Sequence, residues 1–206
     1  AETLPQGGVL AADGLCVSAA MVKTLRGAFE EKGICLRDED FLTPLWTEDR
    51  PPVPATPAWM LTKDQAGLSV REKLAAVREK LAAQKAGAML VTRLDSVAWL
   101  LNLRASDIAY NPFALAYCLV EENTARLFIN AARVPEDVQA ALKAQGVELC
   151  GYEQARSALA AMEGPATVLY EPAGTSWAML RALEENPAVT LQEGEEPVQA
   201  LKGVKN

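Results

Sequence analysis

Residues 114–129 read ALAYCLVEENTARLFI, two apolar runs of strand length parted by the polar triplet Glu122, Asn123 and Thr124. Runs rich in Tyr, Val, Phe and Ile around such a triplet predict an antiparallel hairpin, with strands over 114–121 and 125–129. Outward from the hairpin the period changes. Ser69 and Glu72 stand at capping-box spacing, and Val70, Leu74, Val77 and Leu81 recur at three- and four-residue steps. They predict a helix from Val70 to Ala86, stopped by Gly87. Its tandem REKLAAV-REKLAAQ (71–84) is only two heptads, too short for a coiled coil, so the helix is expected to pack on a sheet. Ala88–Thr92 then reads as a buried strand and Leu94–Leu101 as a short apolar helix.

Downstream of the hairpin, Pro135, Glu136 and Asp137 open a helix that Gly146 ends. Strands at 147–150, 166–170 and 189–191 alternate with helices at 152–162 and 175–184. Helical crossovers around one hairpin predict an α/β fold: a mixed sheet covered by helices on both faces. Upstream, Pro44, Pro51, Pro52, Pro54 and Pro57 crowd residues 41–61, where missing N–H groups and fixed φ predict a linker without helix or central strand. Before it lie a strand at 8–12, a helix at 18–32 closed by Gly33, and a strand at 34–36. Some forty residues of this kind cannot bury a core alone, so they are expected to lean on the domain downstream or to end a preceding one.

Half of the 206 residues are apolar, 23% are charged and the net charge is −7. Disorder and collagen-like repeats are excluded. The longest uninterrupted apolar run, Phe113–Val120, is far short of the roughly 20 residues of a membrane span, and the first basic residue is Lys23. The negative charge opposes phosphate backbones. Neither nucleic acid nor membrane is an expected partner. There is no histidine, which removes the usual general base, the proton shuttle near pH 7 and the commonest zinc ligand. Cys16, Cys35, Cys118 and Cys150 have no metal-site spacing, and three lie in apolar stretches, which predicts buried thiols and a cytoplasmic location. Cys118 as a nucleophile has no histidine to activate it, so a structural thiol is expected. Glu171, Glu184, Glu185, Glu193, Glu195 and Glu196 lie near helix ends and turns and are expected to be solvated or to compensate helix dipoles.

Polarity is unexpected in one place, the segment NLRASDIAYNP (102–112), directly after the apolar helix carrying Trp99. Its polar residues and Pro112 predict a loop, and loops at element ends are where α/β domains display binding groups. Arg104 and Asp107, three apart, face two alternatives: pairing with each other or capping neighbouring backbone, or turning toward a substrate or partner domain.

LW-x-x-x-RP-x-x-P (45–54), AG-x-S (66–69), R-x-K-L (78–81) and LD-x-x-AWLLNLR-x-x-DI-x-x-NP (94–112) together resemble the non-catalytic part of the three-domain Xaa-Pro aminopeptidases, the aminopeptidase P group. The similarity runs from about Gly8 to Asn206. It implies a mixed six-stranded sheet flanked by helices, of the creatinase amino-terminal type with its ribonuclease H-like motif. Residues 1–46 would be the remnant of a first such domain, 47–60 a proline-rich linker, and 61–206 a second. PVQALKGVKN (197–206) resembles the junction with a pita-bread catalytic domain. In the family that domain removes the residue preceding proline from peptides, through two metal ions, usually manganese, held by two aspartates, a histidine and two glutamates.

The resemblance therefore implies no catalytic and no metal residue in this chain, and inactivity by itself. The two Mn ions would belong to the catalytic domain, its partner in the same polypeptide. The amino-terminal domains of the family help close the active-site entrance to proline-containing peptides and contribute to subunit contacts, a homodimer included. By position, Trp99, Asn102, Arg104, Asp107 and Asn111 are the substrate-gating or interdomain candidates. A covered surface predicts exposed apolar side chains near Trp46, Trp59 or Trp99. The family usually has glycine where this chain has Ala105, which would be strained if the turn needs positive φ. The alternative function is a freestanding protein-interaction or small-ligand binding module.

Overall fold

Alternating side chains of the central strands belong to two different cores, which shows why the strands form a covered sheet. Met89, Val91, Cys118, Val120, Leu127 and Ile129 point to one face and meet Leu74, Val77, Val138 and Leu142. Their neighbours Ala88, Leu90, Leu119 and Phe128 point to the other and meet Leu159, Met179 and Leu183. The structure is a computed structural model and describes residues 4–204; Lys205 and Asn206 of the predicted junction lie outside the described residues.

The chain opens with β1 (Val9–Ala12), α1 (Ala19–Phe29) and β2 (Cys35–Asp38), then α2 (Leu42–Leu45), β3 (Trp59–Met60) and α3 (Lys63–Ala66). Next come α4 (Val70–Ala83), β4 (Ala88–Val91), α5 (Leu94–Leu100), β5 (Leu103–Arg104) and the predicted hairpin, β6 (Ala116–Glu121) with β7 (Ala125–Ile129). It closes with α6 (Glu136–Ala144), β8 (Val147–Gly151), α7 (Ala155–Ala160), β9 (Ala166–Tyr170), α8 (Trp177–Glu184), β10 (Val189–Glu193) and α9 (Pro197–Gly203).

Six strands form the mixed sheet in the order β10-β9-β4-β6-β7-β8. β6 alone runs antiparallel to its neighbours, pairing Cys118 with Val91 on one side and with Leu127 on the other. The carboxyl ends of the other five strands and the start of β6 therefore share one edge. That edge is where open α/β sheets place ligands, and the segment 102–115 lies along it.

Several expectations are corrected. Residues 41–61 are not free of helix: α2 accommodates Pro44 within its first turn, where a missing N–H costs nothing, whereas β3 pairs with β5 outside the six-stranded sheet, so the stretch holds no central strand. β5 likewise interrupts the predicted loop at 102–112. α4 ends at Ala83 rather than Ala86, and the left-handed residue after it is Lys85 (φ 58°), not Gly87. Of the cysteines only Cys118 is buried; Cys16 and Cys35 are exposed and Cys150 is half-buried, because their strands or turns lie outside the central sheet or at its rim. The first forty residues lean on the rest. Ala19 of α1 packs against Tyr170 of β9 and Leu180 of α8, and Trp177 N–H donates to the Val17 carbonyl at 2.8 Å.

The capping box at α4 is formed as read: Ser69 Oγ accepts from Glu72 N–H, and the Glu72 carboxylate accepts from Ser69 N–H at 2.8 Å. Ser69→Ala is expected to destabilise the chain by about 1 kcal/mol. Urea unfolding should show a lower midpoint at unchanged slope.

Candidate functional site

At the end of α5 the chain must turn sharply to begin β5, and Asn102 makes the turn with φ 51°, a conformation its short amide side chain tolerates. Its side chain is buried and faces inward. Oδ1 accepts from Lys73 Nζ at 2.6 Å, and Nδ2 donates to the Leu68 carbonyl at 2.9 Å. Lys73 is 2% exposed on the apolar face of α4. It also donates to the Trp99 carbonyl, and its ammonium lies 4.3 Å from the Trp99 ring centroid. Burial, with the Arg104 charge adding to it, lowers the Lys73 amine to about 8. Arg104 itself donates to the Ala98 and Leu103 carbonyls and binds the turn to the end of α5.

Asp107 lies in the most enclosed ion pair of the described residues. Its side chain is fully buried and that of Arg133 nearly so. Arg133 grips both carboxylate oxygens, Nη1 at Oδ2 and Nη2 at Oδ1, the latter at 2.7 Å. Thr56 Oγ1 donates to Oδ1 at 2.9 Å and Leu115 N–H to Oδ2 at 2.8 Å. Burial pulls the Asp107 carboxyl up, but the Arg133 hydrogen bonds, with those of Leu115 and Thr56, outweigh it and hold the group below its ordinary value. One carboxylate thus joins the proline-rich stretch, the loop, the start of β6 and the turn after β7.

The five candidates therefore divide. Asn102 and Asp107 are inward-facing and set the shape of the segment. Arg104 does not pair with Asp107. Trp99 is half-buried beside Lys73, and Asn111 is exposed next to Tyr110, whose side chain stands wholly in solvent with φ 64°. Ala105 is buried and has no positive φ, so the expected strain is absent; Asn102 carries the turn instead.

Sequence reading missed Arg133, Thr56 and Lys73. Only Lys73 left a signal, being three residues after Val70 on the helix's apolar stripe. It also missed Glu196, which is buried rather than solvated; Glu171 is partly buried too. Cavities flank the segment on both sides, one of about 330 Å³ between Pro54, Leu115, Arg133 and Tyr152, and one of about 370 Å³ between Leu68, Lys73, Trp99 and Leu201. Trp46 and Trp59 are 47% and 42% exposed, with Leu42 and Leu45 also uncovered. Cys118 is fully buried, with its thiol pushed up to about 12 by desolvation, so it is no nucleophile near neutral pH.

Residues 49–206 match the family model described as the Creatinase/Prolidase N-terminal domain. The chain belongs to this family. Among relatives of the domain, a probable Xaa-Pro aminopeptidase P of Sordaria macrospora is 30% identical over 97% of this chain and 34% of its own length. Xaa-Pro aminopeptidase 2 of Mus musculus is 34% identical over 78% of this chain and 25% of its own. The crystal structure of the X-prolyl aminopeptidase of Caenorhabditis elegans, described as a cytosolic enzyme with a di-nuclear active site, superposes on the whole chain with a TM-score of 0.87 at 28% identity, again over 34% of that protein. The chain thus spans about a quarter to a third of the length of such relatives, and its six-stranded mixed sheet is the architecture of a creatinase-type amino-terminal domain. Among the described residues no group of three or more Asp, Glu or Cys is placed to hold a metal ion, so they do not fit a dinuclear centre. No described helix is long and apolar enough to cross a membrane.

Proposed function

We propose that this chain is the non-catalytic amino-terminal part of an Xaa-Pro aminopeptidase, and that it shapes and gates the active site of a dinuclear catalytic domain in the same polypeptide. One observation carries the reading: end-to-end similarity to aminopeptidases of about three times its length. The chain's chemistry agrees with it. Without histidine and without a ligand cluster among the described residues, its contribution is architectural. The parent enzyme would act on proline-containing peptides in the cytoplasm with two metal ions, manganese being the family's usual choice. Residues 1–46 would complete a preceding domain and 47–60 link it to the second.

In this reading the edge segment at 99–112 is the gating surface. Trp99, Arg104 and Asn111 lie nearest a substrate or a second domain, while Asn102 and Asp107 hold them in place. The exposed Trp46 and Trp59 suit a face that another domain or subunit covers.

The test compares this chain with the whole-length protein on an Xaa-Pro-Xaa tripeptide with added manganese. The chain alone is expected to show no turnover, and the whole-length protein to cleave after the first residue. Turnover by the pure chain would overturn the reading. In the whole-length protein, Asn111→Ala is expected to change KM for longer peptides more than for the tripeptide; equal effects would remove the gating role.

A further inference from the structure

The last helix is held down by a polar junction that the proposed function does not use. Glu196 immediately precedes α9, is 6% exposed, and makes no capping bond to the helix. Gln199 Nε2 donates to Ser96 Oγ, which leaves the Ser96 hydroxyl proton for the Glu196 carboxyl. The other Glu196 oxygen, Oε1, is buried without a hydrogen-bond partner, and Oε2 of Glu171 in the turn after β9 is buried with none either, its one ion-pair contact being a long one to Arg93 at 3.9 Å. Lys202 Nζ binds Asp95 Oδ2, while Pro197 and Val198 are buried and Leu201 packs against the core.

The charged groups around the Glu196 carboxyl come from α5 with the residue before it and from the turn after β9. Asp95 from α5 and Glu171 from the β9–α8 turn are like charges. Arg93, the nearby cation, is already shared between Asp95 at 3.4 Å and Glu171 at 3.9 Å. Lys202 is taken by Asp95. The Cys118 thiol of β6, fully buried, lies within electrostatic reach of the carboxyl and brings no positive charge. An ionised Glu196 here would have one hydroxyl donor, one bare oxygen and two negative neighbours. A neutral carboxyl leaves one uncharged polar atom bare, a smaller cost than an unpaired buried charge.

We propose that the seating of α9 on α5 is a proton-controlled latch, closed while the Glu196 carboxyl is protonated and loosened when it gives up its proton to solvent. Burial is the largest of the influences on this group, and it raises the carboxyl to about 7. Linkage fixes the sign. When α9 lifts away, Glu196 regains the ordinary carboxylate value near 4.5, so the closed state binds the extra proton. The closed state is fully favoured below pH 4.5 and progressively loses that advantage as pH rises through about 7.

Amide hydrogen exchange on the 206-residue chain reads the latch directly. Protection factors for Ala200 to Gly203, corrected for intrinsic exchange, are expected to fall about tenfold between pH 6 and pH 8, with those of α4 unchanged. Glu196→Gln should hold α9 closed across the range. Flat protection in the unaltered chain, or the same fall in Glu196→Gln, would overturn the proposal. Carbon-13 titration of the Glu196 carboxyl in the unaltered chain supplies a second reading that does not depend on the variant folding. A midpoint near 7 is expected; one below 5 would overturn the proposal.

Discussion

Asp107→Asn is expected to destabilise the chain by about 3–5 kcal/mol, the cost of breaking a buried ion pair on one side only. The substitution preserves volume and keeps one oxygen for Thr56 or Leu115, but it removes the charge that Arg133 is buried against. Arg133 is 1% exposed at its side chain and has no described carboxylate partner besides Asp107, so its guanidinium would be left uncompensated. Denaturant unfolding by far-ultraviolet circular dichroism measures the loss. Asp107→Asn with Arg133→Met is expected to recover much of it, since removing both charges removes the desolvation cost as well. A loss below about 1 kcal/mol in the single variant would mean that water reaches the pair. The pair also sets an acid limit. Because Asp107 is held below its ordinary value, its contribution is complete above the ordinary carboxylate range and drains away as pH falls through the lowered one. The Asn variant should lack that part of the acid unfolding curve.

Asn102→Ala is the second large effect, expected at about 3 kcal/mol from several separable losses. Alanine is disfavoured at φ 51°, by roughly 1 kcal/mol. The Leu68 carbonyl loses its donor, and the buried Lys73 ammonium loses the acceptor 2.6 Å away, keeping only the Trp99 carbonyl and ring. Asn102→Gly isolates the backbone part: it should return about 1 kcal/mol and leave the remainder. Equal stabilities for the Ala and Gly variants would show that φ contributes nothing. In a whole-length enzyme both substitutions would also move Trp99, which links this corner to the proposed gating surface.

The fold was legible wherever neighbours in sequence are neighbours in space. The ENT turn announced the β6–β7 hairpin, Ser69 with Glu72 announced the start of α4, and the Leu74–Val77–Leu81 stripe announced its buried face. Within 41–61 the absence of proline from helix interiors misleads, because Pro44 sits in the first turn of α2, where no N–H is needed. Misplaced polarity singles out the candidate segment at 102–112, but polarity alone does not say which way a side chain turns. Asn102 and Asp107 turn inward because their partners arrive from α4 and from the turn after β7.

By itself the amino-acid order settled the alternation of helices and strands, the mixed sheet, and the lack of an imidazole for metal or proton transfer. These properties depend on residue type and on spacings of two to four positions. Only the tertiary structure decided which charges are buried and against what. Thr56 and Asp107 are 51 residues apart, and Gln199 and Ser96 are 103 apart. Such pairs meet through the strand order β10-β9-β4-β6-β7-β8, which no local period encodes. Burial then makes those few polar contacts strong, since water is excluded where the strand ends converge.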